Sequence, residues 1–297
     1  MKSLSSKLLF LFYALYACST YADENLNAAY AKLLALSLTD DISASKLNSN
    51  ELSYDKYSLP YEFKNLYVTK DYFLSMKLNG NYLKIKSSPT NIDSLGNLRA
   101  HWDVFSLSAT PKITYPINEK FSIENELEFG YSNMNNKSSF HGNEQMKEIL
   151  REEGLLDWSI NTFHITPKLG LRNNNKLNNN DEFNIYGHIS YMFTNSFGNE
   201  KKLNINNNTG TWSIGGEYIM NDLINLNGVN FNLILSNDIG GFYGEGYREL
   251  SFGFINNTSF ALETPIKFYD NQVKIKAGIG YLSSDNAHGI AFTLGIR

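Results

Sequence analysis

The sequence predicts an all-β chain: a transmembrane antiparallel β-barrel of about twelve strands, with ten as the alternative, and a short N-terminal helix placed to enter the lumen. Three observations carry this expectation. Apolar and polar residues alternate over segments of roughly ten residues or more, longer than the usual strand of a soluble sheet. Tyr and Phe contribute 19 residues each while only 19% of the chain is charged, a thin supply for a water-exposed surface. Mean hydropathy is −0.33, with no long apolar run outside the N-terminus. That excludes a helical membrane bundle but not a barrel, whose strands conceal their lipid face by alternation.

From the N-terminus, residues 1–22 read as a secretory signal. Lys2 and Lys7 form its basic region, Leu8 to Ala17 its apolar region, and Thr20-Tyr21-Ala22 a small-x-small cleavage site. The apolar run is about half of what a bilayer-spanning helix needs. Leu15-Tyr16-Ala17-Cys18 also resembles a lipobox, although Tyr16 is bulky for it; otherwise Cys18 leaves with the signal. One cysteine permits neither an intramolecular disulfide framework nor a Cys-based zinc module. A net charge of −4 argues against a nucleic-acid partner.

Residues 23–39 form a helix candidate, with Asp23 and Glu24 in its first turn and Leu26, Tyr30, Leu33 and Leu34 on one face. A second short helix is expected at Glu144 to Glu153, with Met146, Ile149 and Leu150 as its apolar face and Gly154 as its stop. In an outer loop, it would cap the barrel mouth or bind a partner, the cap being the more economical reading.

The remaining chain, 41–297, alternates with period two. In Phe121 to Ser132 one face carries Phe121, Ile123, Asn125, Leu127, Phe129 and Tyr131, and the other Ser122, Glu124, Glu126, Glu128, Gly130 and Ser132. Strands are expected at 72–86, 102–116, 120–134, 157–171, 182–195, 211–220, 226–239, 246–260, 272–284 and 287–297, with a weaker hairpin at 42–48 and 52–65. Long connectors at 87–101, 135–156 and 196–210 share one side with 240–245 and 285–286. This side would be outside, because outer-membrane barrels have short periplasmic turns and an even strand number. Trp102 precedes Thr110-Pro111-Lys112 by the spacing at which Trp158 precedes Thr166-Pro167-Lys168, and each proline would mark a bulge.

The signal, the helical lead, LALSLTDDISAS (Leu34 to Ser45), the amphipathic strands and the closing HGIAFTLGIR together resemble the solitary autotransporter-like barrels of the outer membrane, which lack a passenger. The resemblance implies an outer-membrane barrel of translocator type in a Gram-negative bacterium, and no catalytic residues. Its partners would be outer-membrane lipid and, through the C-terminal strand, the barrel assembly machinery. The short stretch between signal and first strand argues against a secreted passenger, and Arg297 stands where such barrels usually close on an aromatic residue.

The candidate functional surface is the charged inner face: Lys112, Glu124, Glu126, Glu128, His164, Lys168, Arg172, His188, Glu217, Lys274 and Lys276. Lys112 would lie across from Glu124 or Ser122, and His164 near His188. Such a lumen is either an ion-paired plug, which gives a structural or surface role, or a charged constriction of a small diffusion pore. A third reading, an outer-membrane hydrolase, needs a Ser–His pair at a strand end. The histidines His101, His141, His164, His188 and His288 show no metal-ligand spacing, and no serine sits in a nucleophile motif. No cofactor is implied. Gly240-Gly241, with Gly244 and Gly246, reads as a flexible connector.

Overall fold

In a computed structural model, the described residues are 44–49, 52–92, 95–177, 179–197, 208–244, 253–268 and 271–296. The signal, Cys18, the 23–39 helix and Arg297 lie outside them. Among the described residues no helix is long and apolar enough to cross a membrane.

Twelve antiparallel strands close into a barrel: β1 (Ala44–Ser49), β2 (Leu52–Val68), β3 (Phe73–Ser87), β6 (His101–Pro116), β7 (Phe121–Asn136), β9 (Trp158–Lys176), β10 (Glu182–Phe197), β11 (Asn208–Leu226), β12 (Val229–Gly244), β13 (Phe254–Phe268), β14 (Asn271–Ser283) and β15 (Ala287–Ile296). Neighbours in sequence are neighbours in space, and β1 pairs with β15 from Ala44↔Phe292 to Ser49↔Ala287. Closure leaves no free sheet edge, so backbone polar groups find partners within the wall.

The strand ends that the long connectors join lie at one end of the barrel. Two of these connectors build a small sheet from β4 (Thr90–Ile92), β5 (Gly96–Arg99) and β8 (Ser139–Gly142), joined by helix α1 (Glu144–Glu152). Asn143 caps α1 by accepting from the Gln145 and Met146 amides, and Gly154, at φ 73°, follows its C-cap. Met146 and Leu150 pack with Leu98, Phe140, Leu155 and Leu156. Ile149 is exposed rather than part of that face, because it sits on the flank of the buried stripe. The helix is thus anchored to the loop sheet.

Register sets the two faces of the wall. Below the loop end, Leu59, Phe105, Phe129, Ile165, Ile189 and Phe292 point outward and stay exposed, Leu59 at 79%, as lipid-facing side chains of a protein must. Outward aromatics mark both boundaries: Tyr57 stacks on Tyr82 at 6.4 Å toward the loops, while Tyr67–Tyr72 and Tyr72–Tyr115 lie 6.3 and 5.9 Å apart toward the turns. Ten residues of tilted strand separate Tyr57 from Tyr67, about 25 Å along the axis, the height of an outer-membrane apolar band.

Above the outer aromatic row the phase inverts. There the outward positions turn polar (Asp55, Lys84, Asp103, Asn133, Asn161), and the inward ones apolar (Tyr54, Leu83, Ile85, Val104, Met134, Ile160). The inward set joins Leu47, Trp158, Met192, Phe242, Leu282, Ala287 and Ala291 in one buried cluster, with Trp102 and Ile255 packed against it. Every barrel strand except β11 contributes, so the cluster forms an apolar collar at the loop end of the lumen.

Three local expectations are corrected. Register runs unbroken through Pro111 and Pro167. Each proline only leaves the ladder unpaired on one side, toward β7 at Pro111 and toward β10 at Pro167, because the ring removes a single donor. The bulges fall instead between Phe63 and Tyr67 and between Met220 and Ile224, where Asn65 and Asp222 take φ 53°. Gly240 and Gly241 lie within β12, and the following strand begins at Phe254 rather than near 246.

At the turn end, Asp181 accepts from the Tyr218 hydroxyl (2.7 Å), the Asn221 amide (3.2 Å) and the Asn179 side chain (2.5 Å), tying the β9–β10 turn to β11. The Tyr218 hydrogen bond, ahead of the other donors, holds its carboxyl below the usual aspartate range. A depressed pKa makes this clamp contribute stability above the unfolded value, about 3.9, and lose it as pH falls through the folded value. The protection factor of the Asn221 amide against hydrogen exchange should therefore fall on acidification below about pH 4. Asp181→Asn should exchange faster at neutral pH and lose that acid dependence.

Candidate functional site

The eleven side chains named from the sequence as lining the lumen all sit on the face opposite the lipid-facing rows. They form local groups, not one ring. On β6, β7 and β9, Lys112, Glu126 and Lys168 stand side by side in register. Lys112 makes its ion pair with Glu62 of β2 at 2.5 Å, and Ser75 of the intervening β3 donates to the same carboxylate at 3.3 Å. Register places Lys112 opposite Glu126, not Glu124 or Ser122, because the hairpin turn tightens at Asn118, whose side chain accepts from the Lys120 and Phe121 amides.

Glu128 is the most enclosed carboxylate of this wall, its side chain 2% exposed between Lys168 (3.2 Å) and the His164 imidazole (3.3 Å). His164 is fully buried, and its Nε2 is at ion-pair distance from Glu128 without hydrogen-bond alignment. Gly130 lies directly opposite His164, and a Cβ there would fall 2.1 Å from the ring; the absent side chain is the space the imidazole fills. Arg172 reaches Glu124 at 3.4 Å and lies 4.9 Å over the Tyr186 ring, itself bonded to Asp238. Further round, Glu217 accepts from Asn184 at 3.1 Å, and Glu263 pairs with Lys274 at 3.0 Å beside Lys276 in register.

His188 does not approach His164. His164 is opposite Thr194 and His188 opposite Gly170, six residues along each strand or about 20 Å. His188 Nδ1 instead lies 2.9 Å from Ser213 Oγ, within β10 and β11 rather than at a strand end. Among the described residues no group of three His, Cys, Asp or Glu is arranged to hold a metal ion.

Sequence reasoning missed Glu62, Asp238 and Glu263 as inner-face charges. Glu62 was already visible in the alternation of the weak hairpin, and Glu263 fell beyond the expected end of its strand. The wall therefore holds carboxylates and cations in neutralising contact, beneath an apolar collar.

The family model described as "Solitary outer membrane autotransporter beta-barrel domain" matches residues 35–263. The chain belongs to this family. Its fold is similar to the transport unit of the autotransporter AIDA-I from Escherichia coli (14% identity, TM-score 0.54, covering 93% of this chain and 98% of that one). It is also similar to the translocator domain of the autotransporter NalP from Neisseria meningitidis (13% identity, TM-score 0.55, 95% and 98% covered). The beta domain of the Bordetella autotransporter BrkA matches at 10% identity with a TM-score of 0.50, 86% and 100% covered. No curated protein sequence matches the chain. This outer-membrane autotransporter barrel thus shares its architecture with translocator domains at identities that speak for the fold alone.

Proposed function

We propose that this outer-membrane barrel has a closed lumen and a structural, surface-exposed role in the Gram-negative envelope, without catalytic turnover. The supporting observation is the collar: its buried side chains are 0–6% exposed, so water is excluded from the wall at the loop end. In the same reading residues 1–22 are removed on export, and 23–39 occupy the lumen ahead of β1, which begins at Ala44 opposite Tyr57 of the outer aromatic row. The C-terminal strand engages the assembly machinery, lipid surrounds the outward rows, and nucleic acid is no partner.

Planar-bilayer recording of the purified protein tests this. The expected trace is silent. Steady channels whose conductance changes when Glu124, Glu126 or Glu128 is reversed to lysine would replace the closed barrel with a diffusion pore. Lipid or peptide hydrolysis abolished by both Ser213→Ala and His188→Ala would overturn the non-enzymatic part.

A further inference from the structure

The phase inversion leaves cations on the outside of one wall. On β3, Gly80, Tyr82, Lys84 and Lys86 share the outward face, and register runs from Lys46 of β1 through Asp55 to Lys84 and on to Asp103. Asp103 is already engaged by Lys137 (2.6 Å), the Tyr82 hydroxyl (2.7 Å) and His101 (3.3 Å). Among the described residues, Lys46, Lys84 and Lys86 make no ion pair.

Directly beneath, an apolar groove of about 620 Å³ opens on the lipid-facing surface between Leu59, Leu78, Leu107, Phe129 and Phe163, with Gly80 in its wall. A Cβ at Gly80 would meet only Leu107, at 3.5 Å, so the notch exists because a side chain is missing. Gly80 and Lys84 are four residues apart on one face, about 13 Å, with Tyr82 of the outer aromatic row between them. Hydrocarbon fits the groove, which lies within the apolar band. Anions fit the lysines, which are compact, strongly hydrated charges at the headgroup level.

We propose that this wall binds a phosphorylated, multiply acylated glycolipid of the outer leaflet, with phosphate on Lys84 and Lys86, Lys46 flanking, and one acyl chain lying over Gly80. The assignment rests on the loops facing outward and is independent of whether the lumen is closed, so bilayer recordings leave it untouched.

The test titrates diphosphoryl lipid A against the full chain in non-ionic detergent. It reads saturable binding and the temperature at which the folded band is lost on a heat-modifiable gel. Binding should raise that temperature, and dephosphorylated lipid A and phosphatidylglycerol should raise it less. K84E/K86E should weaken affinity by roughly tenfold or more, about 1.4 kcal/mol. K84R/K86R should retain binding, as should K120E in the periplasmic turn. G80L should weaken binding several-fold by filling the notch. The gel shift verifies folding of each variant, and K84Q/K86Q replaces the reversal if that fails to fold. Equal binding of dephosphorylated lipid A or phosphatidylglycerol, an equal loss in K120E, or full affinity in G80L would overturn the proposal.

Discussion

Glu128→Ala should destabilise the folded barrel by about 3–5 kcal/mol, the range for breaking a buried charge pair by removing one partner. The carboxylate is 2% exposed and lies between Lys168, 12% exposed, and a fully buried His164. Deleting it removes the carboxylate 3.2 Å from the Lys168 ammonium in a nearly buried setting, with Glu126 still beside that lysine in register. Glu128→Gln keeps the volume and an acceptor oxygen but not the charge, and should cost less. The double variant Glu128→Ala/Lys168→Met should recover part of the loss, because the cation that faced the deleted carboxylate is then gone. Urea unfolding in detergent micelles, followed by the mobility of the folded band, measures all three. Additive effects in the double variant would show that Lys168 and Glu128 are not energetically coupled.

This pair was legible in the sequence because parity alone placed Glu128 and Lys168 on the same face of adjacent strands. Parity says nothing about height, and height is where the reading failed. His164 and His188 share a face but stand six residues apart, since the offset between β9 and β10 depends on the length of their turn. The same turn shows why: Asn173, Asn174 and Asn175 look like connector residues, yet they extend β9, with Asn175 donating to Asn173. Asn227-Gly228 is a hairpin signal in plain view, with φ of 52° and 82° as a type I′ turn requires, whereas the alternation over 211–220 and 226–239 places the turn a few residues earlier. Gly240-Gly241 resembled a linker because strand interiors disfavour glycine. In β12 the Gly241 position lies against the Trp212 ring, which covers the backbone that a side chain would otherwise cover.

The collar was hidden for a different reason. An alternation detector expects one face to stay apolar throughout a strand, and here the faces exchange roles at the membrane boundary. Tyr82-Leu83-Lys84-Ile85 reads as a lapse in amphipathicity; in the barrel it is a lipid-facing aromatic, a buried collar residue, an outer cation and a second collar residue. Inversion has a physical rationale. Above the apolar band the outer surface meets headgroups and water, whereas the inner surface at that height meets only itself.

That rationale makes the collar the place where a closed barrel should be opened. Trp158 and Leu83, 5% and 0% exposed, reach the cluster from β9 and β3. Truncating both to alanine removes two large apolar side chains whose loss in a packed core costs about 2–5 kcal/mol each. Part of that cost should be relieved here by water entering from the loop end, so the barrel should still fold, with a lower unfolding temperature. In planar bilayers Trp158→Ala/Leu83→Ala should show resolved channel openings where the parent is silent. Its ion selectivity should be weak, because the inner wall below the collar pairs carboxylates with ammonium and guanidinium groups instead of presenting a ring of one sign. Reversing Glu124 in that opened background should shift selectivity toward anions, whereas the same reversal in the parent should change no current. A folded double variant that stays silent would place the barrier elsewhere along the lumen and remove the collar from the account of closure.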